Sequence, residues 1–150
     1  MLPDFVLNDR VDGGHLVVNP SRDVWERSEL TFDELARWSA LIAATGWAML
    51  TVLPQLANGC INYWEAGNWS LHDGAEPAGP KVVRDHRRVH AHVIGRSRTA
   101  RSDAWQWGEA PQFPRFDERV EWAARFTPLN SGECSAIAQH IDRRVQERYV

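Results

Sequence analysis

Several things are scarce in this chain, and each scarcity closes off a class of protein. Cysteine occurs twice in 150 residues, at Cys60 and Cys134, with no CxxC pair. That is no disulfide framework, and both are read as reduced thiols of a cytoplasmic protein. Excess positive charge is missing: 17 Lys and Arg against 20 Asp and Glu leave a net charge of −3. General nucleic-acid binding, which needs a strongly basic face, is not expected. No apolar run approaches the roughly 20 residues of a membrane span. The start, Met1-Leu2-Pro3-Asp4-Phe5, has neither the basic nor the apolar region of a signal peptide. There is no internal repeat and no low-complexity segment. Hydrophobic residues at 43% and charged residues at 25% fit one globular domain with a real core.

Tryptophan, by contrast, occurs eight times. That points to a compact aromatic core, an aromatic-lined pocket, or both. Read in order, Phe5 to Asn8 and His15 to Asn19 flank Asp12-Gly13-Gly14, a hairpin signal, and Pro20 stops the second run. Thr31-Phe32-Asp33-Glu34 reads as a capping box. Leu35, Trp38, Ile42 and Met49 then mark a helix from about Phe32 to Leu53, stopped by Pro54. Cys60 to Glu65 is rich in β formers and is expected as a strand, ended by Ala66-Gly67-Asn68. Residues 69 to 82 carry Gly74, Pro77, Gly79 and Pro80 and read as a surface loop, of a length that is often functional. Trp105, Trp107, Phe113 and Phe116 lie among Pro111 and Pro114, and are expected in an arm that packs by its rings without regular structure. Asn130 to Glu133 is a second capping-box pattern. It opens a C-terminal helix with Cys134, Ile137, Ala138, Ile141 and Val145 on one stripe. The order predicts an α+β fold: an antiparallel sheet with the long helix and the C-terminal helix packed on one face. It is read as a single domain over 1–150, with a core at about 5–108 and the aromatic arm and last helix at 109–150.

The stretch Arg84 to Arg96 is the one the rest is organised around. It alternates polar and apolar residues with period two. On an extended chain His86, Arg88, His90 and His92 share one face, and Arg87, Val89, Ala91 and Val93 the other. A row of imidazoles beside a guanidinium repels itself when charged and lines a core poorly when neutral. Something anionic or catalytic is expected above it. In a metal site His90 and His92 share an ion, with His86 as a third ligand. But His86 lies roughly 13 Å of strand from His90, and no carboxylate follows at close spacing. In a structural reading each histidine is a satisfied polar group, and that suits His15, His72 and His140. In the third reading a neutral imidazole attacks phosphorus, and an arginine on the same face suits the phosphate oxygens.

Here the residues carry a family resemblance. Val89-His90-Ala91-His92-Val93-Ile94-Gly95-Arg96 resembles the signature of the histidine triad (HIT) superfamily, His-φ-His-φ-His-φ-φ followed by Gly or Pro. Other pieces fall in the family's order. His15 to Arg22 is similar to its early strand, which ends in proline and basic residues. Leu30 to Leu35 is similar to the start of its long helix, and Ile61 to Asn68 to the strand ending in a substrate-contacting asparagine. Asp103 to Gly108 resembles the tryptophan-rich arm of one bacterial branch. The resemblance covers roughly Phe5 to Gly108.

It implies a HIT-like α+β fold, usually a homodimer with a sheet continued across the interface. It also implies hydrolysis or transfer at the α-phosphate of a nucleotide, with no cofactor and no metal. By position His90 is the nucleophile that forms a nucleotidyl-histidine, and His92 lies by the phosphate oxygens. A backbone carbonyl usually holds the nucleophile's other ring nitrogen. Asn68 contacts the phosphate or ribose. Arg88 stands where the family has its first histidine. It either clamps a phosphate or blocks the site and leaves a non-catalytic nucleotide-binding protein. Asn8 and Asp9 sit where the family often has a ribose-binding acid. Asp85 is near a position that helps protonate leaving groups in some members, and Trp105 and Trp107 are candidates for stacking on a base. For each of these five a plain structural role explains the residue at least as well.

Overall fold

In the computed structural model, which describes residues 3–150, the long helix begins where its cap requires. Thr31 is extended, its Oγ1 accepts from the Glu34 amide at 3.3 Å, and the Glu34 carboxylate accepts from the Thr31 amide at 2.8 Å. Two amides that the first turn leaves unpaired are thereby satisfied. The helix, α1, runs Phe32–Val52. By length and composition it is apolar enough to cross a membrane, with a mean hydropathy of 1.2. About a third of that stretch is buried inside the protein, with Trp38, Ala44, Thr45, Gly46, Ala48 and Met49 facing inward.

Three strands form one antiparallel sheet among the described residues: β1 (His15–Val18), β2 (Cys60–Ala66) and β3 (His90–Arg96), in the order β1-β3-β2. The class is therefore α+β. The central strand separates two cores. Leu16, Val18, Ala91 and Val93 face α1, and the Trp38 indole donates to the Val18 carbonyl at 3.1 Å. On the other face Ile94 packs with Leu7, Ala104 and Trp105.

Four expectations need correction. Residues 5–8 form no strand. Asn8 Nδ2 donates to the Gly95 carbonyl (2.8 Å), Asp9 accepts from the Val11 amide (2.9 Å), and the chain turns through a 3₁₀ segment at Arg10–Asp12. Short polar side chains that bond backbone groups compete with strand pairing, and β1 pairs with β3 instead. Nor does a strand begin at Arg84. Val83–His86 closes a helical turn, α2, with the Arg87 amide on the Val83 carbonyl at 2.9 Å. Regular pairing starts at His90, just after the Val89 amide donates to the Val24 carbonyl. The aromatic arm holds a helix, α3 (Arg119–Ala124), beyond a 3₁₀ turn at Asp103–Trp105. Finally the C-terminal helix, α4 (Ser131–Arg148), lies on α1 rather than flat on the sheet, because α1 already covers that face. Leu129 and Ile137 join the α1-side core, with Cys134 and Ile141 of α4 packed against it.

Candidate active site

A cavity of about 360 Å³ opens where β2 ends, α2 turns and β3 begins. His90 and His92 line it, with Leu7, Trp64, Trp69 and His86 as walls and Asn68 and Arg88 at its border. No carboxylate is among the lining residues, so its polar groups favour an anion.

The backbone sets the protonation of three imidazoles in series. The Leu7 amide can only donate, and it donates to His15 Nδ1 at 3.1 Å. The His15 proton therefore sits on Nε2, which lies 2.8 Å from His92 Nδ1. At the far end the Arg88 carbonyl can only accept, and His90 Nδ1 lies 2.9 Å from it. His90 thus carries its proton on Nδ1 and its lone pair on Nε2. Between them His92 Nε2 lies 3.2 Å from His90 Nε2. A neutral His92 that accepts at Nδ1 and donates at Nε2 satisfies every contact in the series. The fully buried His15 is held well below the usual imidazole range, first by burial and then by the neighbouring His92 and His90. Burial, then His90, lowers His92 to about 3. Both stay neutral at physiological pH, as the series requires.

Packing holds the rings in place. The His92 ring lies between His15 (centroids 4.9 Å, 29° apart) and Trp64 (5.3 Å, 24°). Phe113 backs Trp64 at 4.2 Å, and Trp105 meets Phe113 edge-on. The Trp105 indole donates to the Leu7 carbonyl at 2.7 Å. One peptide segment thus takes a bond from the arm and gives one to the imidazole series. Arg96 anchors the same arm, donating to the Gln106 and Glu109 carbonyls.

The other expected residues are placed as follows. Arg88 borders the cavity, but its guanidinium donates to the carbonyls of Arg84 (3.1 Å), Asp85 (3.0 Å) and Arg87 (2.7 Å). It caps the open end of α2 beside the cavity, with its Nε 3.9 Å from the Asp23 carboxylate. Asn68 Oδ1 accepts from Arg87 Nε at 3.4 Å, which leaves its amide nitrogen without a partner among the described residues. Gly67 precedes it with φ 143°, and a Cβ there would lie 2.7 Å from the Arg88 carbonyl that His90 uses. His86 reaches the cavity from α2, not from a strand. Asp85 is exposed on α2, outside the lining. Asn8 is fully buried and Asp9 caps a 3₁₀ turn, so neither faces the cavity. Trp105 is wholly buried and offers no ring face to a ligand, while Trp107 lies under Arg98. Among the described residues no three His, Cys, Asp or Glu side chains gather as metal ligands.

His15 was read from sequence as an ordinary satisfied histidine, and its link to the site was missed. Satisfied it is, but by the site itself. It opposes Ile94, two residues from His92 on the same sheet face. The only signal in the sequence was an imidazole opening an apolar strand. Trp69, which lines the cavity, opens the loop that the sequence marks as functional in length, but no local pattern singles out this residue.

The low values of His92 and His15 carry a stability prediction. Unfolded, a histidine titrates near 6.5, whereas folded His92 titrates near 3. Between those pH values the unfolded chain binds the proton and the native one does not. Stability is therefore full above about pH 6.5 and falls as the pH drops, by about 1.4 kcal/mol per pH unit for each such histidine. Urea midpoints from pH 7 to 4 should show this slope, and His92→Gln should remove one histidine's share. A flat profile would mean that His92 is readily charged in the native state.

Compared with models of protein families and with curated proteins, the sequence matches none.

Proposed function

We propose that this chain is a HIT-type nucleotide hydrolase or nucleotidyl transferase, acting at the α-phosphate of a nucleoside phosphoramidate or a dinucleoside polyphosphate. The observation that carries the reading is the direction of the imidazole series. It puts the lone pair of His90 Nε2, which in the unliganded site accepts from His92 Nε2 at 3.2 Å, at the edge of a cavity with no lining carboxylate, while Nδ1 is held by a backbone carbonyl. The chemistry follows from that placement. His90 Nε2 attacks phosphorus, a P–N bond forms, and the leaving group departs with the electron pair of the broken bond. The His92 Nε2–H, displaced from His90, donates to a non-bridging oxygen where charge develops. The Arg88 carbonyl steadies the positive charge that the His90 ring acquires. Water then cleaves the P–N bond and releases the nucleoside monophosphate, or another acceptor takes the nucleotidyl group. The protein supplies the hydrogen bonds, and no metal or other cofactor enters this scheme.

Arg88 is the residue on which the competing reading turns, a nucleotide-binding protein without turnover. Its hydrogen bonds to three carbonyls support a cap on α2 that adds charge beside the cavity and leaves the His90 lone pair unblocked. The test is incubation with a fluorogenic adenosine phosphoramidate and with diadenosine tetraphosphate, for the natural chain and for Arg88→His. Cleavage is expected, with a change of less than about tenfold in the variant, since the three hydrogen bonds that are lost cap an exposed helical turn and none of them is to His90 or His92. Binding of both compounds with cleavage of neither would select the non-catalytic reading.

The proposal extends to a cytoplasmic homodimer. Support comes from β2, an edge strand whose Tyr63 and Trp64 are 52% and 38% exposed. Such an edge invites pairing with a second copy. Light scattering should give twice the chain mass, and a monomer at micromolar concentration would remove this part.

A further inference from the structure

A second, open depression adjoins the first. Its volume is about 570 Å³, and it shares Asn68 and Trp69 with the His90 cavity. Its remaining walls come from the loop after Trp69 and the arm around Phe116.

Those walls are built and braced. The His72 ring lies parallel to Phe116, with centroids 4.1 Å apart and planes 14° apart. Arg119 sits 3.6 Å over the Phe116 ring and 5.2 Å over Phe5, and Phe5 meets Trp69 edge-on at 5.9 Å. An unbroken series of ring and cation contacts thus runs from His72 to Trp69. His72 is exposed, yet it is fixed at several points. Its Nδ1 accepts from the Gly74 amide at 3.0 Å, and its carbonyl accepts from Lys81 at 2.7 Å. The Gly74 bond places the His72 proton on Nε2, a donor set in advance. Arg115 and Asp117, paired at 2.8 Å, add both charge signs at the rim. An exposed ring held this firmly has already lost the freedom that binding would otherwise cost.

We propose that this depression is a subsite for a flat aromatic ring on the leaving group. The ring stacks beside His72 and Trp69, while the chain joining it to the attacked phosphorus passes the unpartnered amide of Asn68. The substrates favoured would be two-armed: a nucleotidyl arm in the His90 cavity and a second, ring-bearing arm here. This assignment rests on the reading of His90 as the nucleophile. The bond changes are those already given, with the ring leaving on the departing group.

The experiment compares the natural chain with His72→Ala, an exposed position outside the His90 cavity. Turnover is measured with unsubstituted adenosine phosphoramidate, whose leaving group is ammonia, and with diadenosine tetraphosphate. Binding of AMP and of diadenosine tetraphosphate is measured separately by calorimetry on His90→Ala, with and without His72→Ala. Loss of one stacking partner should lower kcat/KM and affinity for diadenosine tetraphosphate about tenfold, leaving the phosphoramidate and AMP unchanged. Equal effects on both compounds, or no effect on either, would overturn the subsite. So would diadenosine tetraphosphate binding no more tightly than AMP. If the natural chain cleaves neither compound the nucleophile reading falls, and the calorimetry still decides whether the ring subsite exists.

Discussion

His90→Ala is expected to reduce turnover by at least about a thousandfold while the fold stays intact. Removal of a covalent nucleophile typically costs that much or more. The ring is half-buried, and its hydrogen bonds are one to the Arg88 carbonyl and one to His92. The loss should therefore fall on kcat, with circular dichroism and the urea midpoint close to those of the natural chain. A companion result is expected from the natural chain quenched during turnover: a nucleotidyl group on His90, found by mass spectrometry of the peptide. Full turnover by the variant would take His90 out of the mechanism. His92→Ala should be milder, because in the proposed reaction it removes a hydrogen-bond donor to the phosphate and leaves the attacking atom of His90 in place.

Gly95→Ala is expected to destabilise the protein by about 3 kcal/mol or more, the upper range for overpacking a rigid site. A Cβ at Gly95 would lie 2.2 Å from the Gly13 carbonyl oxygen and 2.7 Å from its carbon. The obstacle is backbone, which cannot rotate away as a side chain would. The crossing is tied on both sides: the Gly95 amide donates to the Gly14 carbonyl at 3.0 Å, and the Ser97 amide to the Asp12 carbonyl at 3.0 Å. His15 follows Gly14 directly, so the same strain should lengthen the His15–His92 contact and lower turnover in whatever fraction folds. Thermal melts and urea titrations measure the first effect. Unchanged stability would show that the two backbones separate at little cost.

The glycine after the histidine motif is a good measure of what could be read in advance. The sequence placed it in a pattern, and the physical need for it is visible only where β3 crosses Gly13. The two capping boxes behaved differently. Thr31 with Glu34 and Asn130 with Glu133 each mark a helix start to the residue, since a cap is satisfied within four residues of chain. The hairpin expected around Asp12-Gly13-Gly14 failed because Asn8, Asp9 and Asp12 bond to backbone elsewhere, Asp12 to the Arg101 and Ser102 amides. Those partners are remote in sequence and leave no local trace.

By itself, then, the sequence determined what depends on near neighbours: both long helices, the strand at Cys60, and the alternation that puts His90 and His92 on one face. The tertiary structure decided everything that depends on which distant segments meet. It brought His15 to His92, gave His90 Nδ1 a carbonyl to hold it, turned Arg88 onto the end of α2, and set Trp69 between two cavities. Hydrogen-bond direction along the imidazole row is fixed by an amide at Leu7 and a carbonyl at Arg88, some eighty residues apart in the chain. No periodicity or spacing can encode that pairing, because it exists only once β1 and β3 lie side by side.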